Sequence, residues 1–151
     1  MNADVVVAWL HYVTFMVLFA ALVAQHLLIK KPVTPAEAKR VSVLDAICGI
    51  AFIGVVITGT LKLLRFGKGV EFYMQAWQFH AKITLVVLAF LISLYPTIVF
   101  QNYRKRTKDL PADERVEYPP GLKHAIRLEM VFMVLVPLFA ASLARAVGQF
   151  D

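Results

Sequence analysis

Four apolar stretches, at approximately 5–29, 43–64, 77–100 and 125–146, fill most of this 151-residue chain. A helix rises ~1.5 Å per residue, so ~20 apolar residues cross the ~30 Å hydrocarbon core of a bilayer. Lipid is therefore the solvent against which every other residue is read. Short connections between consecutive spans predict an all-α integral membrane four-helix bundle, up-down-up-down, in a single transmembrane domain over residues 1–151. Hydrophobic residues make up 60% of the chain, well above the ~45–50% apolar usage of soluble domains.

The net charge of +6 does not point to nucleic acid, because the basic residues sit in loops beside the spans. The first loop carries Lys30, Lys31, Lys39 and Arg40; the third carries Arg104, Lys105, Arg106, Lys108, Arg115 and Lys123. The other side has Lys62, Arg65, Lys68, Lys82 and Arg145. Ten against five puts the first and third loops in the cytoplasm and both termini outside. Met1 to Asp4 lacks the basic start of a secretory signal, so the first apolar stretch reads as a retained span. Localisation in a bacterial inner membrane is the expectation.

Local signals set the ends of the spans. Thr34-Pro-Ala-Glu37 is a capping box with proline at the first helical position, which predicts a helix running from the membrane surface through Asp45 into span two. Gly67-Lys68-Gly69 predicts a turn, with Phe72, Tyr73 and Trp77 at interfacial depth. Pro111 and Pro119-Pro120-Gly121 are expected to stop any helix before span four. Pro96 and Pro137 are expected to kink their helices. Ala20, Ala21, Ala24, Gly49, Gly54, Ala140, Ala141 and Ala144 offer small surfaces for close helix approach. Cys48 is the only cysteine, so no intramolecular disulfide or thiolate metal site is available, and a small buried residue is its expected role.

Ionisable side chains at membrane depth are costly and mark function by default. They fall in two layers. His11 on span one and His80 on span three lie at similar depth near the outer side, with Lys62, Arg65, Lys68, Lys82 and Arg145 forming a cationic rim. Two histidines on facing helices can take both axial positions of a haem b iron; the bland alternative is a pair of polar interface residues. Lys82 follows His80 by two residues, so only one of them can point squarely into the bundle. As an interfacial anchor Lys82 would snorkel; as a functional group it would meet a haem propionate or an anionic substrate. The inner layer holds His26, Asp45, His124, Arg127 and Glu129. A charge pair such as Asp45 with Arg127 is the expected arrangement, a proton relay the alternative, and a second haem between His26 and His124 the least favoured.

Trp9-Leu-His11 with Gln78-Phe-His80-Ala-Lys82 resembles the membrane-bound four-helix protoporphyrinogen oxidase family. That resemblance implies haem b, a tetrapyrrole substrate and a quinone acceptor, with His11 as an axial ligand and Lys82 as a catalytic residue. A resemblance over nearly the whole chain is to an uncharacterised bacterial family of four-span membrane proteins, carried by Val23-Ala-Gln-His-Leu-Leu, Leu44-Asp45-Ala, Gly67-Lys68-Gly69 with Phe72-Tyr73, His80-Ala-Lys82, Ser93-Leu-Tyr95-Pro96-Thr97, Arg127-Leu-Glu129 and Leu143-Ala-Arg145. Members often have an acidic residue before the position of His26 and an aromatic at that of His80. Gln25 and His80 depart from this, which leaves His11 and Lys82 as the firmer candidates.

Two functions compete. The first is a haem-b-associated redox protein, an oxidoreductase or electron carrier, with His11 and His80 as metal ligands and Lys62, Arg65 and Lys68 as cofactor contacts. The second is a cofactor-free accessory subunit that stabilises or regulates a larger membrane complex or a homo-oligomer. A four-span transporter has no inverted repeat to support it, and no phosphate loop or hydrolase motif is present.

Overall fold

The computed structural model describes residues 2–29 and 32–145. Lys30, Lys31 and Ala146, which entered the charge count and the end of span four, lie outside the described residues. The helices are α1 (Ala3–Leu28), α2 (Pro35–Leu61), α3 (Val70–Gln75), α4 (Trp77–Arg106) and α5 (Pro120–Ala144), with a π-helical turn at Lys62–Phe66 continuing α2. Four of these, α1, α2 with its π turn, α4 and α5, are long and apolar enough to cross a membrane. A hydrocarbon solvent cannot bond peptide groups, and a helix bonds its own.

The start of α2 follows from its capping box. Thr34 Oγ1 accepts from the Glu37 amide, and Glu37 Oε2 accepts from the Thr34 amide at 2.8 Å, with Pro35 at the first turn. Such a cap contributes about 1 kcal/mol. The helix accordingly starts at Pro35 rather than Val43 and passes through Asp45 without interruption. The Pro119-Pro120 pair corrects the sequence expectation. Pro120 occupies the first turn of α5 and Pro119 precedes it, so the pair starts the helix instead of stopping one. The reason is that a proline in the first turn forfeits no helical hydrogen bond.

α1 packs along α2, α4 packs along α5, and the two hairpins meet more sparsely through α2 with α4 and α1 with α5. This is the square of an up-down-up-down bundle. The first and third loops meet at one end, where Val33 and Val116 exchange two amide-to-carbonyl bonds of 2.9 Å. We call this the double-loop end and the opposite one the second-loop end. At mid-depth, Leu18, Ala21 and Leu22 of α1, Cys48 and Ala51 of α2, Ala89 of α4 and Met133 of α5 form a dry core. Cys48 is thus a small buried residue of that core. A second cluster, Ile29, Val41, Val99, Phe100, Leu122 and Ile126, closes the double-loop end. Tyr118, just before α5, packs on Phe100 and Tyr103 there; burial pushes its hydroxyl up to about 12.

The outward faces are apolar. Ile50 is 72% exposed, and Trp9, Met16, Ile53, Val134 and Leu138 are exposed with it. Less than a third of each spanning window is buried inside the protein, which only lipid makes tolerable. The small residues divide: Ala21 is buried and Gly54 receives Thr14, whereas Ala20, Ala141 and Ala144 are exposed and Gly49 has nothing within 4 Å of the place a Cβ would take.

A Cβ at Gly54 would lie 2.8 Å from Thr14 Cγ2, and Thr14 cannot swing away freely because its hydroxyl donates to Leu10 O at 2.8 Å. Gly54→Ala is expected to destabilise the α1–α2 pair by about 1–3 kcal/mol. Thr14→Ser in the same chain, which removes Cγ2, is expected to recover most of it, read as the thermal unfolding midpoint in detergent micelles.

Candidate functional site

Among the polar residues at the second-loop end, Thr58 decides the state of His11. Thr58 Oγ1 donates its one proton back along its own helix to Gly54 O at 2.6 Å, a bond that β-branched hydroxyls readily make. The same oxygen lies 2.9 Å from His11 Nδ1, so there it can only accept. His11 therefore carries its proton on Nδ1, and a neutral ring protonated there keeps its lone pair on Nε2. The ring also packs close to the α2 backbone: a Cβ at Gly59 would lie 3.3 Å from His11 Cε1.

His11 lines a cavity of about 240 Å³ together with Tyr12, Lys62, Lys68, Phe72, Tyr73, Phe79 and Lys82, closed on one side by Ala140, Leu143 and Ala144 of α5. Each of its three ammonium groups stands over an aromatic ring of the same wall. Lys62 Nζ is 5.1 Å from the centre of Tyr12, Lys68 Nζ 4.7 Å from that of Phe72, and Lys82 Nζ 5.7 Å from that of Phe79. Such contacts are worth ~0.5–1 kcal/mol exposed and ~2 when desolvated, which helps hold three like charges together. Gly69, at φ +94°, supplies the left-handed turn that joins Lys68 to α3. No carboxylate lines the cavity among the described residues.

The structure thus brings together His11, Lys62, Lys68 and Lys82 and leaves His80 and Arg65 out. His80 is exposed, and its Nε2 lies 2.9 Å from the Met74 carbonyl, to which it donates. Arg65 is exposed on the π turn. The two-residue spacing of His80 and Lys82 has resolved in favour of Lys82, as opposite helical faces require. Thr58, Tyr12 and Phe79 were not singled out from the sequence, which assigned Phe72 and Tyr73 an interfacial depth but no place in a site. A signal for Thr58 existed: His11 and Thr58 lie equally far along the chain from the Thr34–Pro35 turn, so an antiparallel pair of helices puts them at one depth.

At the double-loop end the expected charge pair is absent. Arg127 is exposed and lines a lipid-facing hollow with His26 and Met130, while Asp45 accepts from Thr97 Oγ1 at 3.0 Å. Arg127 and Glu129 are two residues apart, so α5 turns Glu129 inward and Arg127 outward. His124 is exposed on α5 and does not line the hollow that holds His26. Among the described residues no group of three or more His, Cys, Asp or Glu side chains is placed to hold a metal ion.

The family described as "Predicted membrane protein (DUF2214)" matches residues 3–148. The chain belongs to that family. No curated protein matches it, and no solved structure does. It is a four-span membrane protein of a family whose description states no activity.

Thr58→Val removes the acceptor of the His11 Nδ1 proton without changing side-chain volume much. In nitrogen-15 histidine NMR, His11 is expected to show the Nδ1-protonated tautomer in the native protein and a shift toward the Nε2-protonated form in the variant. An unchanged spectrum contradicts the hydrogen-bond assignment.

Proposed function

We propose that this protein is a redox protein of the bacterial inner membrane that binds, in the cavity at His11, a small ring of the quinone type that gains negative charge on reduction. The observation that supports it is the clustering of three ammonium groups, with no carboxylate among the described lining residues, around a histidine whose Nδ1 is engaged by Thr58. In a low-dielectric site such an arrangement favours ligands that carry or develop negative charge. The rings of Tyr12, Phe72, Tyr73 and Phe79 give a flat aromatic ligand surfaces to stack on. His11 Nε2 accepts a hydrogen bond from a ring hydroxyl, and Lys82, with Lys62 and Lys68, stabilises the oxyanion of the reduced ring. The excess of Lys and Arg on the first and third loops puts that end in the cytoplasm, so the cavity opens at the outer face.

Haem b fits these residues less well. The axial pair is not assembled, because His80 bonds Met74 O instead. A cavity of about 240 Å³ lies below the ~300–1,000 Å³ of pockets that close over drug-sized ligands, and a porphyrin belongs at the upper end of that class. One feature favours it as a second reading: His11 has its Nδ1 proton bound and Nε2 free, the arrangement that metal-ligating histidines adopt. A haem at His11 then requires α5, which meets α1 sparsely, to move aside.

Titration of the nanodisc-embedded protein with a short-chain quinone analogue, followed by tryptophan fluorescence, tests the proposal. Saturable binding is expected, weakened tenfold or more by Lys82→Gln, since a charge-assisted bond is worth ~1.5–3 kcal/mol. An oxidised and dithionite-reduced absorption spectrum of the same sample separates the readings. Sharp reduced bands that His11→Ala abolishes establish haem, whereas no quinone binding by a colourless protein sinks both.

A further inference from the structure

We propose that Asp45 and Glu129, brought together inside the bundle by α2 and α5, form a binding site for one small monovalent cation, a proton or Na⁺, which is reached only from the double-loop end. This inference stands on a different cavity from the His11 site and does not depend on it.

Both carboxyl groups line a cavity of about 230 Å³ whose wall, among the described residues, holds no Lys, Arg or His. Glu129 is 6% exposed and has no hydrogen bond or ion pair among the described residues. Gln25, 1% exposed, lines the same space and leans toward Asp45, but its Nε2 has no well-aligned acceptor. Two carboxylates in an apolar interior cannot both remain charged and unmatched, because the desolvation cost is several kcal/mol per ion. The cationic groups nearby do not supply the match: Arg127 faces outward on α5, and His26 shares its hollow on the other side of α1. A cation from solution does. Asp45, Glu129, Thr97, Ser93 and the Gln25 carbonyl give an oxygen-rich set of the kind that hard cations prefer, and the space has room for water.

The route to this site is visible. Asp45, Gly49 and Thr97 also line a wider cleft of about 810 Å³ between α2 and α4, whose mouth carries Lys39, Arg104, Lys105 and Lys108. Gly49, with nothing within 4 Å of the place a Cβ would take, leaves the junction open. Toward the other end the cavity stops against Leu18, Leu22, Cys48, Phe52 and Phe90, part of the dry core. The apolar stop makes this a one-sided site rather than a conduit.

The test is infrared difference spectroscopy of the nanodisc-embedded protein, with a pH step in Na⁺-free buffer and, separately, NaCl against KCl at fixed pH. A carboxyl band is expected to respond in one arm and to be lost in Glu129→Gln and in Asp45→Asn, each with native helix content by circular dichroism. A response to pH alone identifies the proton and a response to NaCl but not KCl identifies Na⁺. If no carboxyl band responds in either arm, or if the response survives in both variants, the proposal is overturned. Should one variant fail to fold, the other carries the same test.

Discussion

Hydrocarbon cannot accept or donate a hydrogen bond, and that single constraint arranges every polar side chain in this protein. Where a hydroxyl faces lipid it returns to its own helix: Thr60 to Val56 O and Ser142 to Leu138 O. Groups that cannot be satisfied within one turn are gathered between helices. His11 finds Thr58 across 47 residues of sequence, and Asp45 finds Thr97 across 52. The interior polarity of the bundle is thus the residue of what the spans could not hide locally.

That polarity is split into two chambers with opposite character. At the second-loop end three ammonium groups and His11 line an aromatic-walled cavity; at the double-loop end two carboxyl groups line a largely apolar one. Between them lies the dry core of Leu18, Ala21, Leu22, Cys48, Ala51, Ala89 and Met133. Among the described residues the dry core interrupts any polar path from one chamber to the other. The exposed apolar faces of the spans are covered by lipid as readily as by another subunit, so they do not by themselves favour an accessory role.

The spans, the α2 capping box and the burial of Cys48 were legible because each rests on local sequence: length, a four-residue motif, a side chain's size. The clustering of Lys62, Lys68 and Lys82 near His11 was legible too, from depth along the helices. The pairing of His11 with His80 was not, because depth alone does not report which way a side chain turns, and α3 offers His80 a carbonyl that no periodicity reveals. The expected partnership of Asp45 with Arg127 failed for a related reason. Of Arg127 and Glu129, two apart on α5, only one can face inward, and the sequence does not say that it is the acid. Thr97 and Glu129 do share a depth, each nine residues from the helix end at the third loop, and Gln25 and Asp45 lie nearly equally far along the chain from the Thr34–Pro35 turn. Reading those distances across each loop recovers the inner chamber without coordinates.

We infer two water-accessible chambers, one on each face, separated by a dry layer. Cysteine accessibility tests this arrangement most directly. In a Cys48→Ala background, Lys82→Cys, Gln101→Cys and Ala51→Cys are placed one at a time in sealed vesicles and exposed to a membrane-impermeant thiol reagent from either side. The account predicts that Lys82→Cys reacts from one face only, Gln101→Cys from the other only, and Ala51→Cys from neither. Reaction of the first two from the same face, or of Ala51→Cys from any, contradicts it.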